Sequence, residues 1–128
     1  MKQLRRILFA LARSSFVGWI VGWTFTHMSF IIPVKRLRET ENVIAFYHPK
    51  PIYPVHILLV PKRKLPNLMA ISTAEADFFT DLYKITQELV VELALEEEGY
   101  TLLVNGGAYQ DVPQLHYHLV SGAIQHGG

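Results

Sequence analysis

A chain of 128 residues with twelve basic and eleven acidic side chains has too little net charge to gather nucleic acid along a surface, and its length allows one domain plus an appendage. It contains no cysteine, which excludes disulfides, thiolate metal sites and a cysteine nucleophile. Half of its residues are apolar, a high share for a soluble domain, and the excess sits at the front.

After "MKQLRR" the chain runs "ILFALARSSFVGWIVGWTFTHMSFIIPV", and from Ser14 to Val34 no side chain carries a formal charge. About twenty helical residues cross a bilayer core, so residues 1–28 are expected to form a hydrophobic helix that anchors the chain in a membrane. Gly18 and Gly22 offer a small-xxx-small face for helix association, and Trp19 and Trp23 lie one turn apart. Arg13 would cost about 3 kcal/mol at mid-bilayer but is tolerated near an end of the span. A cleaved secretory signal lacks a small-x-small site before Pro33. A helix lying flat on anionic headgroups through Lys2, Arg5, Arg6 and Arg13 is the remaining rival, beside a helix buried in a dimer. Lys35, Arg36 and Arg38 offset the basic front, so charge alone does not orient the span.

Beyond the front, "VKRLRE" and "NVIAFYHP" read as two short strands, and "YPVHILLVP" as a buried one bracketed by prolines. "KRKLPNLMAI" reads as a loop. Ser72 with Glu75 three residues on forms a capping box, and Phe78, Leu82, Ile85, Leu89 and Leu93 recur at helical spacing, so one long amphipathic helix packs a single face until Glu96, Glu97, Glu98 and Gly99 end it. "YTLLVN" is a further strand, "GGAYQDVP" a loop, and "QLHYHLV" (114–120) the last strand. The expected class is α+β: a mostly antiparallel sheet carrying one long helix, over residues 29–122, with 123–128 a tail.

On a strand, successive side chains face opposite ways. Gln114, His116 and His118 therefore share one face, while Leu115, Tyr117 and Leu119 point to the core. Asn105 joins the polar row if the two last strands pair. Imidazole in such a row serves as nucleophile or as acid and base near neutral pH. The plain alternative is a half-exposed strand that happens to carry histidines, and a zinc site would need His56, His48 or His126 as a third ligand.

"QLHYHLV" resembles the signature of the histidine triad family, and three further stretches are similar to that family in the right order: "IPVKRLRETENVIAF", "AFYHPKPIYPVHILLVPKR" and "EEEGYTLLVNGG". The resemblance spans residues from about Ile31 to Gly122. It implies cleavage at the α-phosphorus of nucleotides, as in phosphoramidases, dinucleoside polyphosphate hydrolases or nucleotidyl transferases. His116 would be the nucleophile, His118 would bond the phosphate oxygens or leaving group, and Asn105 would orient the phosphate chain. His56 would support the site from behind, and Phe46, His48 and Gln110 would contact substrate. The resemblance implies no cofactor and no metal, a homodimer, and a nucleotide or nucleotide-linked partner. With the anchor, it places the catalytic domain on the cytoplasmic side of a membrane.

Two departures from the family pattern stand out. Gln114 replaces the first histidine, where an amide that donates and accepts could keep a hydrogen-bond chain without titrating. His48 stands where the family holds ribose hydroxyls with an acidic residue, which opens the nucleoside preference. A catalytically weak nucleotide-binding or scaffold module at the membrane is the rival reading of the whole chain.

Overall fold

The computed structural model describes residues 35–124. The expected N-terminal hydrophobic helix lies outside the described residues, as does the end of the tail. Among the described residues, no helix is long and apolar enough to cross a membrane.

Five strands form one antiparallel sheet: β1 (Arg36–Glu39), β2 (Val43–Tyr47), β3 (Val55–Pro61), β4 (Thr101–Val104) and β5 (Tyr117–Ser121), in spatial order β1-β2-β3-β5-β4. The β-branched and aromatic run of β2 pairs with the prolonged apolar run of β3 from Val43↔Pro61 to Tyr47↔Ile57. A helix, α1 (Ala76–Glu92), crosses one face, and a short helix α2 (Leu95–Glu98) follows it. The α+β architecture expected from the hydrophobic pattern is the one observed.

Alternation along each strand decides what meets the helix. Val43 and Ala45 of β2, Ile57 and Leu59 of β3, and Tyr117 and Leu119 of β5 pack with Phe78, Leu82, Ile85 and Leu89 of α1 in a single buried cluster. Burying a side chain of that size contributes about 1.5–3 kcal/mol. The opposite alternates, His56 and Leu58 of β3 and His118 of β5, lie on the other face of the sheet. There Leu58 stands directly between Phe46 and His118.

Polar contacts fasten the helix to the β1–β2 hairpin. Asp81 accepts from Thr40 Oγ1 at 2.7 Å and from Asn42 Nδ2 at 2.9 Å, and these bonds hold its carboxyl below the usual range. The Ser72–Glu75 capping box is present, although it opens a 3₁₀ turn (Thr73–Glu75) that runs on into α1.

Two expectations are corrected. The long helix breaks at Ala94, which takes a left-handed conformation (φ 53°) so that α2 can turn Leu95 into the core at 2% exposure. Burial of Leu95 outweighs the roughly 1–2 kcal/mol cost of the left-handed backbone. The last strand begins at Tyr117 rather than Gln114. Residues 114–116 are tied instead to the turn after β3, with Leu115 N–H donating to Leu65 O at 2.7 Å. Ser121 belongs to β5, its hydroxyl donating to the Gly99 carbonyl at 2.6 Å.

Candidate active site

Four imidazoles form a continuous row across the face of the sheet away from α1. Ring centroids are 4.4 Å apart for His48 and His56, 5.2 Å for His56 and His118, and 5.0 Å for His116 and His118. Three elements supply them. His48 follows β2, His56 is the second residue of β3, and His116 and His118 flank the start of β5. Asn105 directly follows β4, whose pairing runs from Thr101↔Val120 to Val104↔Tyr117. The chain thus brings His48, His56, His116 and His118 together, with Asn105 just past the end of the strand beside β5.

The backbone fixes the protons on these rings. Ile52 N–H donates to His56 Nδ1 (3.3 Å), so the neutral ring carries its proton on Nε2. That Nε2 lies 2.9 Å from His118 Nδ1 and must donate to it, which puts the proton of neutral His118 on Nε2. His118 Nε2 is buried and has no partner among the described residues. A buried donor of this kind suits an acceptor brought by a ligand. At the other end, His116 Nδ1 lies 2.8 Å from the carbonyl oxygen of Gln114. A carbonyl can only accept, so His116 carries its proton on Nδ1 and keeps a lone pair on Nε2.

These rings are held uncharged. Burial, followed by the neighbouring His116, His56 and His48, lowers His118 to about 3. Burial, then His56 and His116, lowers His48 to about 4. Burial also lowers His56. For His116 burial is again the largest influence and lowers the pKa, opposed by the Gln114 carbonyl and the charge of Asp111. At neutral pH a nucleophilic nitrogen on His116 therefore stands beside a donor on His118, in a row of neutral rings.

The other expected residues are placed as follows. Phe46 is buried at 1% exposure on the same face, across Leu58 from His118. His48 Nδ1 accepts from Lys50 N–H at 2.9 Å, so its own proton is on Nε2 and it presents a donor where a carboxylate would present acceptors. Gln110 uses its amide nitrogen on the carbonyls of Pro66 (2.6 Å) and Val112 (2.9 Å), which ties it into the loop. The side chain of Gln114 is not part of a relay with the histidines. It turns to the 61–65 segment, accepting from Leu65 N–H and donating to the Pro61 and Arg63 carbonyls. As for the zinc alternative, His56 Nε2 and His118 Nδ1 are committed to each other. Among the described residues no three His, Asp or Glu side chains are arranged to hold a metal ion. What spacing could not reveal were the backbone groups of Lys50, Ile52 and Gln114 that set the tautomers, because every residue type offers the same amide and carbonyl.

Comparison with known proteins agrees with this fold. The HIT domain model matches residues 30–124. A HIT-like protein of Chlamydia pneumoniae is 36% identical over 94 residues, covering 72% of this chain and 84% of that protein. An adenosine 5'-monophosphoramidase of Candida albicans is 33% identical over 97 residues, covering 70% of this chain and 62% of that protein. Among solved structures, a HIT family hydrolase from Clostridium thermocellum superposes with a TM-score of 0.68 at 33% identity, over 79% of this chain and 90% of that one. A histidine triad protein from Clostridium difficile gives 0.69 at 27% identity, over 81% and 94%. With its fold, its row of imidazoles and these matches in accord, the chain belongs to the histidine triad (HIT) family.

Proposed function

We propose that the protein is a hydrolase or nucleotidyl transferase acting at the α-phosphorus of nucleotides, of the phosphoramidate or dinucleoside polyphosphate type, through a covalent intermediate on His116. The observation that carries this reading is the pairing of opposite tautomers on rings whose centroids are 5.0 Å apart: a lone pair on His116 Nε2, and on His118 Nε2 an N–H without a partner among the described residues. The first attacks phosphorus. The second donates to a phosphoryl oxygen or to the leaving atom, where charge develops in the transition state. The N–P bond forms as the bond from phosphorus to the leaving phosphate, or to the leaving amine protonated from solvent, breaks, and the imidazole becomes a cation whose Nδ1–H points at the Gln114 carbonyl. Water then cleaves the N–P bond, its oxygen going to phosphorus and one of its protons to solvent, and the starting tautomer is restored. Asn105, just past the end of the strand beside β5, is suited to orient the phosphate chain. The phosphoramidase activity named for the Candida albicans relative supports the choice of substrate class.

The test is turnover of a fluorogenic nucleoside phosphoramidate by the full-length protein, alongside His116→Ala. Turnover that disappears in the variant supports the reading. Nucleotide binding without turnover in the unmutated protein would favour the scaffold alternative. The uncharged run from Ser14 to Val34 supports tethering to a membrane, for which carbonate extraction of the full-length protein is the check. Release into the soluble fraction would refute it. A homodimer is supported by the edge position of β4 and the exposure of Val91 and Tyr83 on α1. A monomer mass in solution would count against it.

A further inference from the structure

Gln114 is almost wholly enclosed, at 1% exposure, and both ends of its amide are bonded to backbone. Oε1 accepts from Leu65 N–H at 3.2 Å, while Nε2 donates to the Arg63 carbonyl at 2.9 Å and, more weakly, to the Pro61 carbonyl at 3.4 Å. The next residue completes the seam, since Leu115 N–H donates to Leu65 O at 2.7 Å. A neutral imidazole has one donor and one acceptor, whereas a primary amide has two donors and an acceptor. Only the amide can serve all three backbone groups of the 61–65 turn. This seam lies outside the regular pairing of the sheet, because β5 begins only at Tyr117. The Gln114–Leu115 peptide is held there by its own N–H and by the Gln114 side chain rather than by a ladder bond, and its carbonyl oxygen receives His116 Nδ1–H at 2.8 Å.

We infer that Gln114 is a positioning residue, whose side-chain amide braces residues 114–116 against the 61–65 turn so that its own carbonyl holds the proton of His116 on Nδ1 and leaves Nε2 free to attack. The inference rests on the proposed role of His116 as nucleophile, and it gives the residue in place of the first histidine a task that a histidine could fill only in part. Once phosphorus is bound to Nε2, the ring is a cation. The braced carbonyl then accepts a charge-assisted bond, stronger than the one in the resting ring. A contact that strengthens on the way to the intermediate raises kcat and leaves KM nearly unchanged.

The experiment compares full-length protein with Gln114→Met, which matches the side chain in shape but makes none of the three bonds, and with Gln114→His. Two readouts are needed: kcat and KM on a nucleoside phosphoramidate, well below each variant's melting temperature, and the tautomer of His116 from its ring nitrogen-15 shifts. The expected result for Gln114→Met is a kcat lower by roughly tenfold to a hundredfold, a KM within about twofold, and appearance of the Nε2–H form of His116. Gln114→His should fall between it and the parent, and it gives the same readouts if Gln114→Met does not fold. A folded variant that keeps His116 wholly as the Nδ1–H tautomer with unchanged kcat, even with a lowered melting temperature, would overturn the inference. The nitrogen shifts need no substrate. A parent protein without turnover would therefore count against the proposed function, while the tautomer comparison would still decide the role of Gln114.

Discussion

Replacing His56 by Phe isolates the proton relay from the chemistry. Phe keeps a planar ring in a position only 4% exposed, but it removes the Nε2–H that lies 2.9 Å from His118 Nδ1 and the Nδ1 that accepts from Ile52 N–H. His118 is then free to move its proton to Nδ1, which would turn an acceptor instead of a donor toward substrate. One net hydrogen bond of about 1 kcal/mol enforces the productive tautomer, so its loss lowers kcat by roughly five- to tenfold. Removing the donor itself, as in His118→Ala, is a larger loss of about 3 kcal/mol, or 10²–10³ in rate. Steady-state kinetics of both variants on a nucleoside phosphoramidate, with folding checked by circular dichroism, separate the two effects. The expected order is parent, then His56→Phe down roughly five- to tenfold in kcat with little change in KM, then His118→Ala. Equal losses in the two variants would mean that His56 touches substrate directly, and full activity in His56→Phe would mean that the tautomer of His118 is immaterial.

Other consequences follow from particular contacts. Gly122 sits at φ +88°, and a Cβ there would lie 2.6 Å from Pro54 Cγ. Gly122→Ala combines a left-handed penalty of about 1–2 kcal/mol with a clash, so its melting temperature should fall by roughly 10 °C or more. An unchanged melt would show that this turn relaxes freely. The histidines make stability depend on pH with a defined sign. Their folded values lie below the ordinary 6.5, reaching about 4 for His48 and about 3 for His118. The unfolded chain therefore binds protons that the folded one refuses, and stability falls as pH drops from 6.5 toward 4. Denaturant midpoints should decline between pH 6.5 and 4.5, where most carboxylates remain ionised, and decline less in His118→Asn. A flat profile would refute the neutral, buried row. Because His116 is also lowered, kcat/KM should hold its plateau below pH 6.5 until folding fails. An acid limb centred near 6.5 would contradict an uncharged resting nucleophile.

Much of this was legible in the residues. The strand alternation of Leu115, Tyr117 and Leu119 against His116 and His118 survives in the structure even though the strand starts three residues later, because Leu115 is buried by the 61–65 seam rather than by sheet pairing. The helical spacing from Phe78 to Leu89 gave the packed face of α1. The break at Ala94 was not legible, since Leu93, Ala94 and Leu95 are all good helix formers and only the need to bury Leu95 turns the chain. The capping box was visible as a pattern of side chains, but its 3₁₀ geometry was not. In the site, strand alternation picked out His116 and His118 and set Asn105 as a candidate beside them, and resemblance gave His56 its place. The proton positions depend on backbone partners at Ile52, Lys50 and Gln114, which any residue type would provide. The direction of the Gln114 amide, away from the histidines and into the turn, depends on a contact between segments about fifty residues apart that no local pattern announces.

The central claim is a bond between His116 Nε2 and phosphorus, and mass spectrometry of the full-length protein, quenched in acid-free denaturant during turnover of a nucleoside phosphoramidate and digested, looks for it directly. The expected result is a nucleoside monophosphate adduct on the peptide containing His116, absent from His116→Ala. An adduct on another residue, or continued turnover by His116→Ala, would contradict it.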